Sequence, residues 1–327
     1  MPTTKRSGSA LLAVLWLTVA LTVIAFSVAA SVRGETERAS TAAEGVRAYY
    51  LATGGIDRAI LWIFWGLYNG YRNPDGSAKY YQPPMPRIDY DFPTGRVTVE
   101  IQPEGGKLNV NNASPANIEQ LILALGIDPG RSRAITMGIV NWRGFSDSAP
   151  AVAPGSTFQP RHASLEELEE ILLVPGMTPE IFYGRYDHDP SGRLIPRGGL
   201  RDSLTVWGAS SQIDVNTAPA ELLQSAGLSP DTVNAILAAR LKAPFKSPAE
   251  IQRYVSDPVA LSRLGTGGNT IWTLRATARA RTPNGGFSDL RRTVSAVVKF
   301  LDPAQFDPPY HILRWYDDAW SPGIPAL

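Results

Sequence analysis

An α+β protein is expected from three features of this 327-residue chain. An apolar run near the N-terminus is long enough to cross a bilayer, which predicts a long N-terminal transmembrane helix. Alternating segments near residue 100 and at residues 270–300 predict a small antiparallel sheet that packs on this helix. Between these strands, a repeated helix–hairpin–helix pattern predicts a large inserted α-helical domain.

The apolar run extends from Ser9 to Val32 and contains no ionisable residue. At about 1.5 Å per residue it spans roughly 36 Å, which exceeds a bilayer core of about 30 Å. Lys5 and Arg6 precede the run and favour a cytoplasmic N-terminus, with the rest of the chain on the other side. The residues expected to anchor the helix in lipid are Leu11, Leu12, Val14, Leu15, Leu17, Leu21, Ile24 and Phe26.

Helical periodicity continues beyond the span. Apolar or small residues at steps of mostly three and four predict one helix from Ala10 to about Gly66, although Asp57 interrupts the stripe. Gly54 and Gly55 each weaken this helix by about 1 kcal/mol. Two alternatives stay open for the N-terminus: a plain signal anchor, or a secretion signal that is cleaved near Ala25-Phe26-Ser27 or Ala29-Ala30-Ser31.

The predicted strands show an alternation of apolar and polar residues. Arg96 to Ile101 has this pattern, and a turn at Glu104-Gly105-Gly106 leads to a second strand. Two further segments, Thr270 to Arg281 and Arg291 to Leu301, flank Asn284-Gly285-Gly286, which is a strong hairpin signal. The segment from Tyr71 to Gly95 is rich in Pro, Gly and Tyr and is interpreted as an irregular connection.

The region between the strands contains an internal repeat. Gly106 to Pro129 matches Ser211 to Pro230: each has a short strand that ends in Val-Asn, then a helix, then a short hairpin. The hairpin occurs three times as Gly, an apolar residue, Asp, Thr or Ser, and Pro. Gly suits the left-handed end of the first helix, and the polar residue with Pro suits the start of the second. The defining pairs are Gly126 and Pro129, Gly176 and Pro179, and Gly227 and Pro230.

Such hairpins either build a helical domain or bind DNA through a G-x-G turn. The second glycine is absent from all three hairpins, and Asp128 would repel a phosphate. Basic residues of the second module, such as Arg240, are offset by nearby acidic residues. We therefore interpret the module as structural and expect no nucleic-acid partner; a membrane-anchored DNA-binding protein is kept as an alternative function.

The composition excludes several kinds of chemistry. Lys and Arg (31) nearly balance Asp and Glu (30), so the overall charge attracts neither nucleic acid nor an anionic surface. The absence of cysteine excludes disulfides, cysteine-bound zinc and a thiol nucleophile. His162, His188 and His311 lie far apart and show no zinc spacing. No catalytic residues are assigned, no enzyme activity is expected, and no cofactor other than calcium is considered.

One segment is compatible with calcium. Asp187, Asp189 and Ser191 match positions one, three and five of a calcium-binding loop, and a glycine follows at position six. Position twelve is Gly198, where such a loop requires a bidentate Glu. The alternative is a polar turn after a helix.

The N-terminus resembles the class III leader of type IV pilins and pseudopilins: basic residues, Gly, a small residue and then an apolar helix. The resemblance implies cleavage between Gly8 and Ser9 by a prepilin peptidase, with the apolar helix retained. Most such subunits carry Glu at the fifth mature position, where this chain has Ala13. The start "RSGSALLAVL" closely resembles the minor pseudopilin K family of type II secretion, which lacks that Glu.

The same resemblance covers nearly the whole chain, through blocks such as "GGKLNVNNAS", "SLEELEEILLVPGMTPEIF" and "GLRDSLTVWGASSQIDVNTAP" in the family's order. It implies a pilin-like fold interrupted by a helical domain that is associated with calcium. It also implies a single-pass inner-membrane protein with its bulk in the periplasm. The implied partners are the I-type and J-type minor pseudopilins, the major pseudopilin and prepilin peptidase. The expected role is to cap the tip of the pseudopilus and initiate its assembly; the alternative is a minor pilin of a type IV pilus or competence system.

These expectations divide the chain into segments. Residues 1–8 form the leader, 9–32 the transmembrane part of the helix and 33–68 its periplasmic part. Residues 69–111 and 266–302 form the sheet domain, 112–265 the inserted helical domain, and 303–327 a C-terminal tail.

Overall fold

A computed structural model describes residues 7–68, 72–77, 79–82, 85–144, 159–189, 191–208, 212–268 and 270–319. The helices are α1 (Ser7–Tyr68), α2 (Pro115–Ala124), α3 (Pro129–Arg143), α4 (Pro179–Tyr183), α5 (Leu200–Ser203), α6 (Ala220–Ser225), α7 (Pro230–Lys242), α8 (Pro248–Ile251) and α9 (Pro258–Ser262). The strands are β1 (Arg87–Phe92), β2 (Gly95–Pro103), β3 (Leu108–Asn109), β4 (Arg185–His188), β5 (Leu194–Arg197), β6 (Leu204–Thr205), β7 (Ile213–Asp214), β8 (Leu264–Gly265), β9 (Ile271–Ala280), β10 (Arg292–Phe300) and β11 (Tyr310–Tyr316).

The predicted N-terminal helix is present as one continuous element, α1, with 62 residues. Proline is absent from this segment, so no residue of the helix lacks a backbone donor. At about 1.5 Å per residue the helix is roughly 93 Å long, about three times the thickness of a bilayer core. Its second half lies on the sheet, and its first half extends away from the rest of the described chain.

The main sheet has five antiparallel strands in the order β1-β2-β9-β10-β11. Along β9, buried and half-buried residues alternate, as a strand with one face against a helix requires. The buried face packs on α1 and encloses a core of aliphatic and aromatic side chains that includes Ile56, Ile60, Val99 and Trp272. The small antiparallel sheet predicted from the alternating segments is thus confirmed.

Gly55 determines how closely α1 approaches the sheet. A Cβ atom at this position would lie 2.5 Å from Cγ1 of Val97, well inside contact distance. The intrinsic cost of glycine in a helix is therefore offset by a closer helix–sheet contact. Gly54 has no such neighbour, because nothing lies within 4 Å of the corresponding position.

Three strand assignments from the sequence were wrong. The segment interpreted as an irregular connection contains β1, in which Ile88, Tyr90 and Phe92 alternate with charged residues and pair with β2. The turn at Glu104–Gly106 is a 3₁₀ helix, and the strand that follows pairs in parallel with β6 rather than joining the main sheet. Residues 310–316, placed in a C-terminal tail, form β11 at the sheet edge.

The inserted helices have their own hydrophobic core, which is distinct from the core between α1 and the sheet. Helices of the two repeats meet across it, since α2 packs on α6. Buried side chains of this core include Ile118, Leu121, Ile139, Leu222 and Ile236. The repeat seen in the sequence is therefore a pair of related modules that share one interior.

Two carboxylates join the helical region to the sheet. Glu104 accepts a hydrogen bond from the hydroxyl of Thr273 on β9, with an O–O distance of 2.6 Å. Glu167 accepts a hydrogen bond from the hydroxyl of Tyr316 at 2.7 Å and pairs with the guanidinium of Arg314 at 2.8 Å. Because both acceptors lie outside the main sheet and three donors lie on its strands, these bonds fix the insert relative to the sheet.

Candidate functional site

The first half of α1 has the properties of a membrane anchor. One helix within the described ranges is long and apolar enough to cross a membrane, with a mean hydropathy of 2.5 over its most apolar window, none of which is buried. The eight predicted anchor residues are each more than half exposed. Since so much apolar surface is unfavourable in water, the segment is suited to lipid. The anchor residues are Leu11, Leu12, Val14, Leu15, Leu17, Leu21, Ile24 and Phe26.

The predicted processing site lies at the very start of this helix. The backbone of Gly8 and Ser9 is within the first turn of α1, which begins at Ser7. Lys5 and Arg6, which complete the basic leader, fall outside the described residues. Cleavage between Gly8 and Ser9 stays a prediction.

The second half of α1 carries an exposed stripe on the side opposite the sheet. Its members follow one another at steps of three or four residues, so they share one helical face. The stripe consists of Val46, Tyr50, Gly54, Asp57, Leu61 and Trp65. Tyr68 follows Trp65 but is not part of it, because its hydroxyl donates to the carbonyl of Leu301 at 2.9 Å. The stripe lies on the same continuous helix as the apolar membrane segment and begins 14 residues after Val32.

The three hairpins have a common backbone geometry. Gly126, Gly176 and Gly227 have φ angles of +81°, +85° and +101°, a left-handed conformation in which a side chain would be strained. Helices α3, α4 and α7 begin at the prolines that follow, Pro129, Pro179 and Pro230, each at its first position.

The polar residue between Gly and Pro caps two of these helices. The carboxylate of Asp128 accepts the backbone N–H of Arg131 at 2.9 Å, and the hydroxyl of Ser229 accepts that of Thr232 at 3.2 Å. Thr178 makes no such bond. Backbone N–H groups at the starts of α3 and α7 therefore donate to side chains of the chain itself. In a phosphate-binding turn, such N–H groups would instead be free to bind the ligand.

Asn111 and Asn216 occupy equivalent positions in the two repeats and make equivalent bonds. The side chain of Asn111 donates to the carbonyl of Leu165 at 2.9 Å and accepts its N–H at 2.8 Å. Asn216 binds the carbonyl and N–H of Phe245 at 3.0 and 2.7 Å. Each amide thus bonds both backbone polar groups of one distant residue, as a neighbouring β-strand would. The recurrence of Val-Asn in both repeats marks these positions as equivalent, but it does not indicate what the two amides bind.

Two arginines cap the turns that contain these asparagines. Arg240 donates to the carbonyls of Val215 and Ala218 at 2.9 and 2.7 Å. Arg143 donates in the same way to Val110 and Ala113 in the first repeat. Burial lowers the pKa of both guanidinium groups. Arg240 is therefore engaged inside the domain, which argues against a role as a phosphate contact.

The residues considered for calcium lie in the β4–β5 hairpin, with Asp187 on β4 and Asp189 and Ser191 in the turn. Asp187 accepts hydrogen bonds from the guanidinium groups of Arg185 at 3.0 Å and Arg197 at 3.3 Å. The hydrogen bond from Arg185, opposed by slight desolvation, lowers the pKa of the Asp187 carboxyl. Asp189 accepts the N–H and hydroxyl of Ser191 at 2.9 and 2.6 Å.

This arrangement does not fit a calcium loop, because two cations already neutralise the carboxylate at position one. Across the part of the chain that the structure describes, no group of three or more His, Asp or Glu side chains could hold a metal ion.

The structure therefore defines an α+β protein. Its N-terminal helix is long and apolar enough to span a membrane, the second half of that helix packs on a small antiparallel sheet, and a helical module is inserted between two strands of the sheet. Residues 213–263 match the family model described as type II secretion system (T2SS), protein K. No curated protein sequence matches the chain.

The fold is also that of a solved structure, a chain of the GspK–GspI–GspJ complex from the type 2 secretion system of enterotoxigenic Escherichia coli. The two chains superpose with a TM-score of 0.59 and 14% sequence identity, over 87% of this chain and 100% of that one. The family match over residues 213–263 and the shared fold confirm the resemblance found in the sequence.

Proposed function

We propose that this chain is a non-enzymatic minor pseudopilin at the tip of the periplasmic pseudopilus of a type II secretion system. It is anchored in the inner membrane by the first half of α1, with its N-terminus in the cytoplasm. There it joins I-type and J-type minor pseudopilins, initiates assembly and caps the filament above the major pseudopilin.

The main support for this proposal is that α1 has three different surfaces. Its first half offers apolar side chains to lipid, one face of its second half packs on the sheet, and the other face exposes an apolar stripe. A helix that served only as an anchor would need no apolar face outside the bilayer. A subunit that assembles with other long helices requires one.

Two further features support the position at the tip. Ala13 stands where filament subunits have a membrane-embedded Glu, a residue that is costly in lipid without a partner above it. The insert leaves the sheet between β2 and β9 and forms a separate core, which adds bulk beyond the pilin-like part.

The N-terminus of the mature protein tests the proposal directly. Mass spectrometry of protein from native membranes should find a chain that begins at Ser9, and Gly8→Leu should leave the unprocessed precursor. Thr3→Ala, which alters the leader away from the scissile bond, should be processed normally. A mature chain that begins after residue 25 would identify a secretion signal and refute the proposal.

Deletion of the gene separates the proposal from its nearest alternative. Loss of protein export across the outer membrane, with twitching and DNA uptake intact, supports the secretion system. The opposite result assigns the chain to a type IV pilus or competence system. Salt-dependent binding of the protein to duplex DNA would instead support the DNA-binding alternative.

A further inference from the structure

The exposed stripe of α1 is a candidate interface for another helix. Its apolar members range in exposure from 41% for Trp65 to 68% for Tyr50. From Val46 to Trp65 the stripe rises about 29 Å along the helix. Exposed apolar side chains in such a continuous row are uncommon on a free surface and mark a contact.

One acidic residue lies in the middle of this row. Asp57 makes no hydrogen bond or ion pair with any residue that the structure describes. Partial burial raises the pKa of its carboxyl, and no nearby cation opposes that effect. Its neighbour Arg58 points elsewhere, with its guanidinium 4.8 Å from the centre of the Tyr90 ring. The stripe therefore contains one carboxylate without a compensating charge from its own chain.

Gly54 lies one turn before Asp57 on the same face. Nothing lies within 4 Å of the position that its Cβ would occupy, so the glycine serves no contact inside the subunit. A second helix could approach α1 more closely here than elsewhere along the stripe. Close approach brings the partner's side chains near Asp57 and removes water from its carboxylate.

Building on the proposed function, we propose that the stripe binds a parallel helix of a different anchored subunit, and that Asp57 pairs with a Lys or Arg of that helix. The partner is parallel because the stripe and the apolar membrane segment belong to one helix, so two anchored chains enter from the same side. It carries a cation because burial of an unpaired carboxylate is costly. Asp57 thus selects the partner and its register, since a helix without the cation leaves the charge uncompensated.

A second copy of this chain fits the stripe poorly. In a parallel pair in register, each residue of one helix meets the same residue of the other. Asp57 would then face Asp57, and two carboxylates at close range repel each other. The geometry therefore favours a heteromeric contact.

A photo-crosslinking amino acid at Leu61, one turn beyond Asp57, tests this pairing in the full chain within its native membrane. The candidate binding partners in this experiment are the minor pseudopilins that the same cells produce. We expect a product in which the cross-linked peptide of the second subunit belongs to its N-terminal helix and contains Lys or Arg. Asp57→Lys should lower the yield about tenfold, which corresponds to about 1.4 kcal/mol of binding free energy. Asp57→Asn should lower it less.

Glu37→Lys is the matched control, because it reverses an exposed charge on the opposite face of the same helix. It should leave the yield unchanged. Exchange of the partner's Lys or Arg for Glu should restore the cross-link to Asp57→Lys. Asp57→Asn should not lower the thermal midpoint of the purified chain, because the carboxylate forms no bond within it.

The outcomes separate this inference from the function on which it rests. If the wild-type chain gives no cross-link to another anchored subunit, the proposed function fails. If the cross-link forms but its yield is the same in Asp57→Lys, the assembly stands and the role of Asp57 is refuted. A product that contains two copies of this chain also overturns the inference.

Discussion

Asn216 pairs with both backbone polar groups of Phe245, a residue 29 positions further along the chain. The pair is buried and joins the start of the second repeat to the segment after α7, so it closes that module as a strand pairing would. Removal of the amide leaves a buried N–H and a buried carbonyl without partners.

Asn216→Ala should therefore destabilise the protein by about 2–3 kcal/mol, close to the cost of two buried groups that lose their hydrogen bonds. Urea unfolding of the full chain in detergent measures the effect. Asn234→Ala, an exposed position in α7, is the control and should be neutral or slightly stabilising. Equal effects of the two substitutions would show that the amide has no special role.

Gly54 and Gly55 should respond in opposite ways to the same substitution. Gly55→Ala forces a Cβ against Val97 and should cost about 1–3 kcal/mol through overpacking. Gly54→Ala meets no atom and should stabilise the helix by about 0.5–1 kcal/mol. Thermal unfolding of the two variants provides the comparison. Val97→Ala should recover part of the loss in Gly55→Ala, and a failure to do so would place the clash elsewhere.

Glu170 should make the stability depend on pH. Desolvation opposes its ionisation, but the N–H groups of Glu167 and Glu166 and the indole of Trp142 hold the pKa of its carboxyl below the ordinary value of 4.5. A lowered pKa in the folded state gives stability that is complete above the unfolded pKa and is lost as pH falls through the folded one. Glu170→Gln should cost about 1–2 kcal/mol at pH 7 and progressively less in acid. A pH-independent difference would contradict this assignment.

Calcium should leave the thermal midpoint unchanged if the β4–β5 turn has the geometry described above. Asp187 is paired with Arg185 and Arg197, and a calcium ion would have to displace both. Melting curves with millimolar calcium and with a chelator test this point. A calcium-dependent rise that Asp187→Ala with Asp189→Ala abolishes would instead establish a metal site at this turn.

Long periodic segments were the most predictable part of the fold. The apolar run and the helical periodicity beyond it predicted α1 almost to its last turn, and alternation predicted β2. The hairpin signal at Asn284-Gly285-Gly286 predicted β9 and β10 on either side of it. The strand β1 was missed because its six residues lie inside a segment dominated by Pro, Gly and Tyr. At the C-terminus, Tyr310 to Tyr316 exposes four successive residues, so β11 lacks the alternation by which a strand is recognised.

The roles of single polar side chains depended on the tertiary structure. Nothing near Asn111 in the sequence indicates that it binds Leu165, 54 residues away. Likewise, the periodicity of α1 revealed that Asp57 interrupts an apolar stripe but not which face of the helix the sheet covers. That choice follows from the contact of Gly55 with Val97, because the helix can lie closest where it has no side chain.

The insert begins after Pro103 and ends before Trp272, and these two residues face each other as the last pair of β2 and β9. In topological terms the whole helical module is one oversized hairpin loop, with its entry and exit side by side. Such a module can grow, shrink or be exchanged without any change in the register of the sheet beneath it. The long helix with its sheet and the inserted helical module can therefore change in sequence at different rates.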